Sequence, residues 1–160
     1  MNNITELPLA LQPLAAYPQW VLWVTVERNG KLMKLPIDYR NGDKASVADP
    51  NTWTDAQTAI NTARLWGSNY RVGFVFTDND PFFFLDIDNC LQVDNTWSPL
   101  ALELINMLPG AAVEISQSGK GLHIFGTYSA DMPDHACKNV PLGIELYHKE
   151  RFVALTGVKL

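Results

Sequence analysis

The segment at residues 82–88, FFFLDID, limits what this chain can fold into more than any other. Side chains alternate between the two faces of a strand, so the apolar residues at 83, 85 and 87 share one face, and Asp86 and Asp88 share the other. Two carboxylates that project together from a half-buried sheet repel each other unless a cation neutralises them. The segment therefore predicts a strand that carries either two hydrated surface acids or a site for Mg²⁺ or Mn²⁺.

Further strands are indicated by short runs of aromatic and branched residues with turn residues between them. Asn29-Gly30 supplies the positive φ angles of a tight turn, so residues 20–37 are predicted to form a hairpin. The turn sequence TDNDP separates residues 71–76 from 82–88, and we expect these two strands to be antiparallel neighbours. Additional strands are predicted at residues 111–116, 121–126, 143–147 and 151–155.

Helices are expected at three places. A short helix is predicted near residues 7–16, and the capping-box sequence TDAQ at 54–57 predicts another from about 53 to 66. Ser-Pro at 98–99 has the chemistry of a helix start, and Pro-Gly at 109–110 ends this third helix. Because strands outnumber helices and short turns join several of them, we predict an α+β fold with a mostly antiparallel sheet covered by helices on one side.

Length and composition fit one compact domain at residues 1–160. Of the 160 residues, 47% are hydrophobic and 18% are charged, which is a globular rather than a disordered composition. No apolar run approaches the roughly 20 residues of a membrane span, and the N-terminus lacks the basic start of a secretory signal. Cys90 and Cys137 form no CxxC pair, so we expect a reducing, cytoplasmic location and no membrane partner.

The formal net charge of −5 argues mildly against a strong electrostatic grip on nucleic acid. Positive charge is nevertheless concentrated in one stretch, where the basic residues face only Asp38 and Asp43. These basic residues are Arg28, Lys31, Lys34, Arg40 and Lys44. A local cationic surface is therefore expected there.

Residues 116–123, SQSGKGLH, lie between two predicted strands and combine small residues with polar donors. Gly119 lets the backbone approach an anion, Ser118 and Lys120 supply donors, and His123 emerges from the following strand. The glycine and lysine spacing does not match a Walker A loop. The residues alone support a phosphate pocket and a tight strand connection with a solvated lysine about equally.

A third acid is offered by residues 143–147, GIELY, where Glu145 shares a face with Tyr147 while their apolar neighbours pack inward. Glu145 is thus a candidate to join the two aspartates. Glu114 alternates away from its apolar neighbours in the same way and is the weaker competitor for this role. Arg151 either steadies a negatively charged ligand or pairs with a surface acid.

These three elements, D-x-D, small residues leading to a strand histidine, and an acid flanked by apolar residues, occur in an order that resembles the three motifs of the archaeo-eukaryotic primase superfamily. The resemblance extends to the primase-polymerase domain of phage and plasmid replication proteins and covers about residues 20–157. It is carried by KLP at 34–36, DPNTW at 49–53, VGFVF at 72–76, FLDID at 84–88, EISQSGKGLHI at 114–124 and IELYHKERFVALTG at 144–157.

The resemblance implies an RRM-like catalytic sheet beside a smaller N-terminal α/β part. It implies template-directed transfer of nucleotides from nucleoside triphosphates to the 3′-hydroxyl of a primer on single-stranded DNA. A helicase domain or subunit is a further implied partner, and the chain is then a catalytic domain of a longer replication protein in a bacterial host cell.

The resemblance also assigns roles to individual residues. Asp86, Asp88 and Glu145 are expected to hold two Mg²⁺ or Mn²⁺ ions, and His123 is expected to contact the triphosphate of the incoming nucleotide. Ser118, Gly119 and Lys120 belong to the loop before this histidine. Lys34 and Arg151 are expected to be further nucleotide or template contacts.

Three other interpretations remain open from the sequence. An RRM-like module without catalytic activity would bind single strands by stacking on aromatic residues such as Phe84 or Tyr147. A metal-dependent glycosyltransferase also uses D-x-D, but needs a nucleotide-binding sheet of parallel strands. A zinc site is the weakest interpretation because the spacing of its donors matches no common site. Its donors would be Cys90, His135, Cys137 and His148.

Overall fold

The computed structural model describes residues 3–160 and contains two separate β-sheets. The strands in chain order are β1 (Trp20–Arg28), β2 (Lys31–Ile37), β3 (Arg71–Phe76), β4 (Phe82–Ile87), β5 (Ala112–Ile115), β6 (Leu122–Thr127), β7 (Lys138–Asn139), β8 (Ile144–Tyr147) and β9 (Arg151–Ala154). The first sheet has the order β2-β1-β3-β9, and the second has the order β5-β6-β4-β8-β7. The C-terminal strand β9 thus returns to the sheet built by the N-terminal strands.

The helices are α1 (Ala56–Trp66), α2 (Pro99–Met107) and two 3₁₀ segments at Leu9–Ala16 and Pro50–Thr52. Helix α2 begins as predicted, because the Ser98 side chain accepts a hydrogen bond from the backbone of Ala101. Helix α1 begins later than predicted. Thr54 pairs with Trp20 as a backbone bridge, so Asp55 is the capping residue.

The α+β prediction is confirmed, and every strand pair in the described chain is antiparallel. The expectation of one sheet with helices on a single side is wrong. Helix α1 packs on the first sheet, while Ala101 of α2 packs on the outer face of the second. Each sheet therefore has its own helix. None of the helices in this part of the chain has the length and apolar character needed to span a membrane.

Strands β3 and β4 are not neighbours in one sheet, which corrects the sequence prediction. The buried Asp80 carboxylate accepts hydrogen bonds from the backbone amides of Thr77 and Phe82, both at 2.8 Å. This turn carries the chain out of the first sheet and into the second. The two strands meet face to face instead, with the rings of Phe76 and Phe84 stacked at 5.8 Å.

The predicted hairpin of β1 and β2 is confirmed, with φ angles of 52° at Asn29 and 75° at Gly30. Only the first part of β1, Trp20 to Trp23, also pairs with β3. Residues 24–35 therefore form a two-stranded arm that extends beyond the sheet. We call this segment the hairpin arm.

The two faces of β4 have different surroundings, as its alternation predicts. Leu85 and Ile87 pack with Leu122 and Ile124 of β6 beneath α2. Phe84 belongs to the larger core cluster, which also contains residues of the first sheet, α1 and the N-terminal 3₁₀ segment. The face of β4 that carries Phe84 and Asp86 is therefore turned toward the first sheet.

The Asp55 cap gives a test of this fold. We expect Asp55→Ala to lower the free energy of unfolding by about 1 kcal/mol, because its side chain accepts hydrogen bonds from the backbone and hydroxyl of Thr58. These hydrogen bonds hold the pKa of Asp55 below its usual value. The contribution is therefore present at neutral pH and is lost as the pH falls through that lowered pKa. Urea denaturation at pH 7 and at pH 3 measures the difference.

Asp55→Asn is the matched control, since asparagine also caps helices well. It should stay within about 0.5 kcal/mol of the wild type at pH 7. Equal destabilisation by the alanine and asparagine variants would contradict the capping role.

Candidate active site

A row of polar side chains crosses the second sheet, with one residue from each of its five strands. In spatial order the row is Glu114, His123, Asp86, Glu145 and Lys138, and each residue is the direct cross-strand partner of the next. Directly opposed residues have Cβ atoms about 4.5–5.5 Å apart. The register of the sheet, rather than any loop, therefore brings these groups together.

The next row along the same face is apolar and consists of Ala112, Phe125, Phe84 and Tyr147. Phe84 stacks with Phe125 at 5.6 Å and with Tyr147 at 6.4 Å, and all four residues belong to the core cluster that includes the first sheet. The polar row thus lies directly beside a packed aromatic layer. This layer holds the backbone of the row in place.

Ionic contacts link the members of the row. His123 Nδ1 lies 2.9 Å from a Glu114 carboxylate oxygen, and His123 Nε2 lies 3.8 Å from Asp86 Oδ1. At the other end, Glu145 is bound by Lys138 Nζ at 3.2 Å and by an Arg151 guanidinium nitrogen at 3.4 Å. The row therefore alternates acidic groups with basic ones except at the central pair, Asp86 and Glu145.

Asp86 is the poorly satisfied member of the row. Its Oδ1 atom is buried and has no hydrogen-bond partner in the described structure. Burial is the main cause that raises the pKa of Asp86, and the charges of Asp88 and Glu145 raise it further, while His123 opposes the shift. A second positive charge at this carboxylate would be favourable.

The row opens into a cavity of about 870 Å³ between the second sheet and the hairpin arm. Asp86, His123 and Glu145 line it from the second sheet, and Lys34 and Arg151 line it from the first. Ligand pockets typically have volumes of about 300–1,000 Å³. The structure thus brings five of the predicted site residues to one cavity of suitable size for a nucleotide.

The other predicted site residues lie at the end of the β4–β6 pair, outside the lining of this cavity. Asp88 follows β4, is exposed, and donates its backbone N–H to the carbonyl of Gly143. Ser118, Gly119 and Lys120 form the loop between β5 and β6. Their predicted contact with phosphate remains a prediction.

This loop is tightly built. Gly119 has a φ of +76°, and the Ser116 hydroxyl accepts a hydrogen bond from the backbone of Gly121. A Cβ atom at Gly121 would lie 2.8 Å from the carbonyl oxygen of Ile87. Glycine is therefore required here because the loop runs directly against the end of β4. The segment thus forms a tight strand connection, and the phosphate pocket remains a prediction.

Asp86, Asp88 and Glu145 are not assembled into a ready ligand set. Within residues 3–160, no three acidic, histidine or cysteine side chains are grouped so that they could hold a metal ion. The Glu145 carboxylate binds Lys138 and Arg151 instead, and it also accepts the hydroxyl of Tyr147 at 2.9 Å. Burial, followed by this hydrogen bond, raises the pKa of Tyr147 to about 12. The three-acid metal site accordingly remains a prediction.

The sequence analysis did not identify two members of the row in their observed roles. Glu114 was considered only as a competitor of Glu145, yet it is buried behind His123 and bonded to it. Lys138, which neutralises Glu145, lies on β7, a two-residue strand that no sequence pattern predicts. Alternation places Glu114 on the correct face, but only the strand register shows that it meets His123.

A comparison with known proteins identifies a relative of this chain. The chain is 34% identical, over 162 aligned positions, to a protein named DNA Primase-polymerase from Nitratiruptor phage NrS-1. This chain is homologous to part of a phage primase-polymerase. The resemblance predicted from the sequence is thereby confirmed. The match includes 96% of this chain and 21% of the relative, so the chain spans about a fifth of the phage protein's length. No protein-family model matches the chain.

The buried Asp86 carboxylate gives a test of the site that does not depend on enzymatic activity. We expect Asp86→Asn to raise the thermal unfolding midpoint in EDTA by about 2–4 °C, which is the shift that 1 kcal/mol produces in a chain of this size. The reason is that the asparagine removes a charge whose burial raises its pKa. In linkage terms, a carboxyl with a raised pKa in the folded state destabilises the fold as the pH rises through that pKa. The advantage of the variant should therefore shrink at low pH.

Asp88→Asn is the matched control, since it removes the neighbouring charge from an exposed position. Its midpoint should change by less than that of Asp86→Asn. A lower midpoint for Asp86→Asn at pH 7 would contradict this description of the site.

Proposed function

We propose that this chain is the catalytic part of a DNA primase-polymerase and transfers nucleotides from nucleoside triphosphates to a primer 3′-hydroxyl on a single-stranded DNA template. One observation carries the proposal. Asp86, whose Oδ1 atom is buried without a hydrogen-bond partner, lines a cavity that it shares with His123 and Glu145. The similarity to a phage primase-polymerase supports the same class of reaction.

The chemistry of the donors fits divalent cations. Carboxylate oxygens are the ligands that Mg²⁺ and Mn²⁺ prefer, and the charges of Asp88 and Glu145 already disfavour a third negative charge at Asp86. In this proposal Asp86 and Asp88, with Glu145 as the third acid, hold two such ions. Bound there, the ions would activate the 3′-hydroxyl and neutralise charge on the departing pyrophosphate.

The side chains around the acids would position the substrates. His123 lines the cavity beside Asp86, although it is only 3% exposed. Its Nε2 would donate to a phosphate oxygen when both ring nitrogens carry protons. Lys34, Lys44 and Arg151 place positive charge on the cavity wall, where a triphosphate or a template phosphate would bind. The aromatic layer beside Asp86, which we take as the floor of this part of the cavity, keeps it rigid and apolar. Electrostatic interactions are stronger beside such a floor than in water.

Two of the alternative interpretations lack the structural features they need. A stacking module would need accessible rings, but Phe84 is 4% and Tyr147 is 8% exposed, and both stack within the protein. A glycosyltransferase of the D-x-D type would need parallel strands, and all strand pairs of the described chain are antiparallel. Nucleotidyl transfer is thus the better supported function.

Primer extension tests the proposal directly. We expect Asp86→Asn and Glu145→Gln each to reduce incorporation of deoxynucleotides on a primed template by more than about 100-fold, because each removes an acid from the reacting centre. Mn²⁺ should raise the thermal midpoint of the wild type and raise that of Asp86→Asn much less.

Asp94→Asn is the matched control, because Asp94 is an exposed acid bonded only to Thr96 in the loop after β4. It should extend primers at the wild-type rate. Undiminished extension by Asp86→Asn or Glu145→Gln would exclude the proposed catalytic role.

The hairpin arm is suited to the template or primer strand. Its basic residues Arg28, Lys31 and Lys34 outnumber the single acid Glu27, in a chain whose net charge is −5. Leu32 and Met33 are 75% and 47% exposed, and both line the cavity together with Lys34. Basic groups bind backbone phosphates while exposed apolar side chains contact unstacked bases. We therefore place the single strand along this arm.

Binding measurements at several salt concentrations test this placement. The double variant Lys31→Gln, Lys34→Gln should bind single-stranded oligonucleotides more weakly. The plot of log K against log salt should become shallower, its negative slope shrinking by about 1.4, since each lost phosphate contact on a single strand contributes about 0.7. Fluorescence anisotropy of a labelled oligonucleotide measures both quantities. The control is Arg64→Gln on the exposed face of α1, and an unchanged slope in the double variant would contradict the placement.

A further inference from the structure

Glu114 is a buried acid that the proposed reaction does not use directly. Its exposed fraction is only 2%, and it lies on β5 at the edge of the second sheet, behind His123 as seen from the cavity. A buried carboxylate is costly unless it is fully hydrogen-bonded. Its partners therefore show what it stabilises.

Every hydrogen-bond partner given by the structure for the Glu114 carboxylate is a donor or can act as one. Thr156 N–H lies 3.1 and 3.2 Å from its two oxygens, and Gly157 N–H lies 2.8 Å from Oε2. The remaining contact is His123 Nδ1, at 2.9 Å from Oε1. An ionised carboxylate can only accept. The network therefore assigns the proton of this contact to Nδ1 of His123.

This assignment fixes the direction of the imidazole ring. With Nδ1–H donated to Glu114, Nε2 faces the cavity and lies 3.8 Å from Asp86 Oδ1, which is beyond hydrogen-bond distance. The rings of Phe84 and Phe125 pack against the imidazole edge to face, at 5.2 and 6.1 Å. A flipped ring would leave the buried Glu114 without its partner. The ring is thus held in one orientation by an acid on one side and aromatic packing on the others.

The same carboxylate also holds the opposite wall of the cavity. Thr156 and Gly157 lie two and three residues after the end of β9, and the β9 residues from Arg151 to Ala154 line the cavity. The Thr156 hydroxyl also donates to the carbonyl of Ile115 on β5, at 2.6 Å. Glu114 therefore joins the histidine of the second sheet to the end of a strand from the first.

We propose that Glu114 is a positioning residue for nucleotide binding. It holds His123 with Nδ1–H toward Glu114 and Nε2 toward Asp86, where a second proton taken up on Nε2 would be donated to a substrate phosphate, and it fixes the distance of the ring from the β9 wall. The ligand of His123 rests on the proposed function. The orientation and protonation of the ring do not rest on it, so the assignment of the ring and the proposed function can fail separately.

Nitrogen-15 NMR of the histidine rings tests the orientation without any substrate. Spectra of the ¹⁵N-labelled wild type at pH 8 should show a proton on Nδ1 of His123, with the resonances assigned from a His123→Gln sample. In Glu114→Gln the side-chain amide keeps an oxygen for Thr156 and Gly157 and turns its NH₂ group toward the ring. Nδ1 must then accept, and the proton should move to Nε2. A proton-free Nδ1 in the wild type, or an unchanged pattern in Glu114→Gln, would overturn the inference.

Primer-extension kinetics test the consequence for binding. We expect Glu114→Gln to raise the KM for deoxynucleoside triphosphates by roughly 10- to 100-fold, the range known for outer-shell partners of metal-binding histidines, because the neutral amide no longer supports a doubly protonated ring and its stronger charge-assisted contact with phosphate. A merely structural role would reduce the amount of active enzyme and so lower kcat while leaving KM unchanged. Glu114→Asp, which retains the carboxylate, should keep the Nδ1 proton of His123 and have a KM close to that of the wild type. It also serves as the second variant if Glu114→Gln does not fold.

Asp80→Asn is the matched control. Asp80 is also a buried acid, 4% exposed, that accepts backbone hydrogen bonds, but its partners are Gln19, Thr77 and Phe82. This variant should leave the ring pattern of His123 and the nucleotide KM unchanged even if it lowers stability. A KM increase in Asp80→Asn equal to that in Glu114→Gln would overturn the inference. Absence of extension by the wild type would exclude the proposed function, and the NMR result would still decide the ring orientation.

Discussion

Aromatic packing between the two sheets is the contact on which the candidate site depends. Phe76 of the first sheet stacks on Phe84 and Phe125 of the second, at 5.8 and 6.4 Å. Buried aromatic rings are among the largest contributors to core stability. Phe84 and Phe125 share a sheet face with Asp86 and His123. Their packing on Phe76 therefore sets where the polar row lies and how far it is from the opposite wall of the cavity.

Some acids of the polar row have partners and one does not, and which acid lacks a partner depends on its position in the row. Glu114 and Glu145, on either side of the centre, are satisfied: Glu114 accepts a hydrogen bond from His123 Nδ1, and Glu145 is neutralised by Lys138 and Arg151. Asp86 at the centre has a buried oxygen without a partner. Natural proteins tend to break local rules of stability at functional sites, because a group prepared for a ligand cannot be fully satisfied within the protein. The destabilised Asp86 carboxylate is the place in the row where we propose that a cation binds.

The distribution of charge is compatible with the proposed nucleic-acid substrate even though the chain is acidic overall. The net charge of −5 would repel DNA from most of the surface. The hairpin arm carries local positive charge beside the cavity, so a strand would be attracted near the candidate site rather than over the whole molecule. Its two-stranded form leaves Leu32 and Met33 exposed, which a fully paired sheet would not. In the proposed function the basic residues of the arm would meet the phosphates of a nucleic acid, and its exposed apolar residues would meet the bases.

Local sequence patterns determined the strands, the Asn29-Gly30 hairpin, the Ser98 cap and the face on which Asp86 lies, because each depends on near neighbours or on the two-residue strand period. They could not determine that β3 and β4 enter different sheets, which depends on the hydrogen bonds of the buried Asp80. Nor could they show that Glu114 meets His123, or that Lys138 reaches Glu145 from the short strand β7. These contacts depend on strand register between distant segments. Register is set by the packing of the whole sheet, so only the tertiary structure decided them.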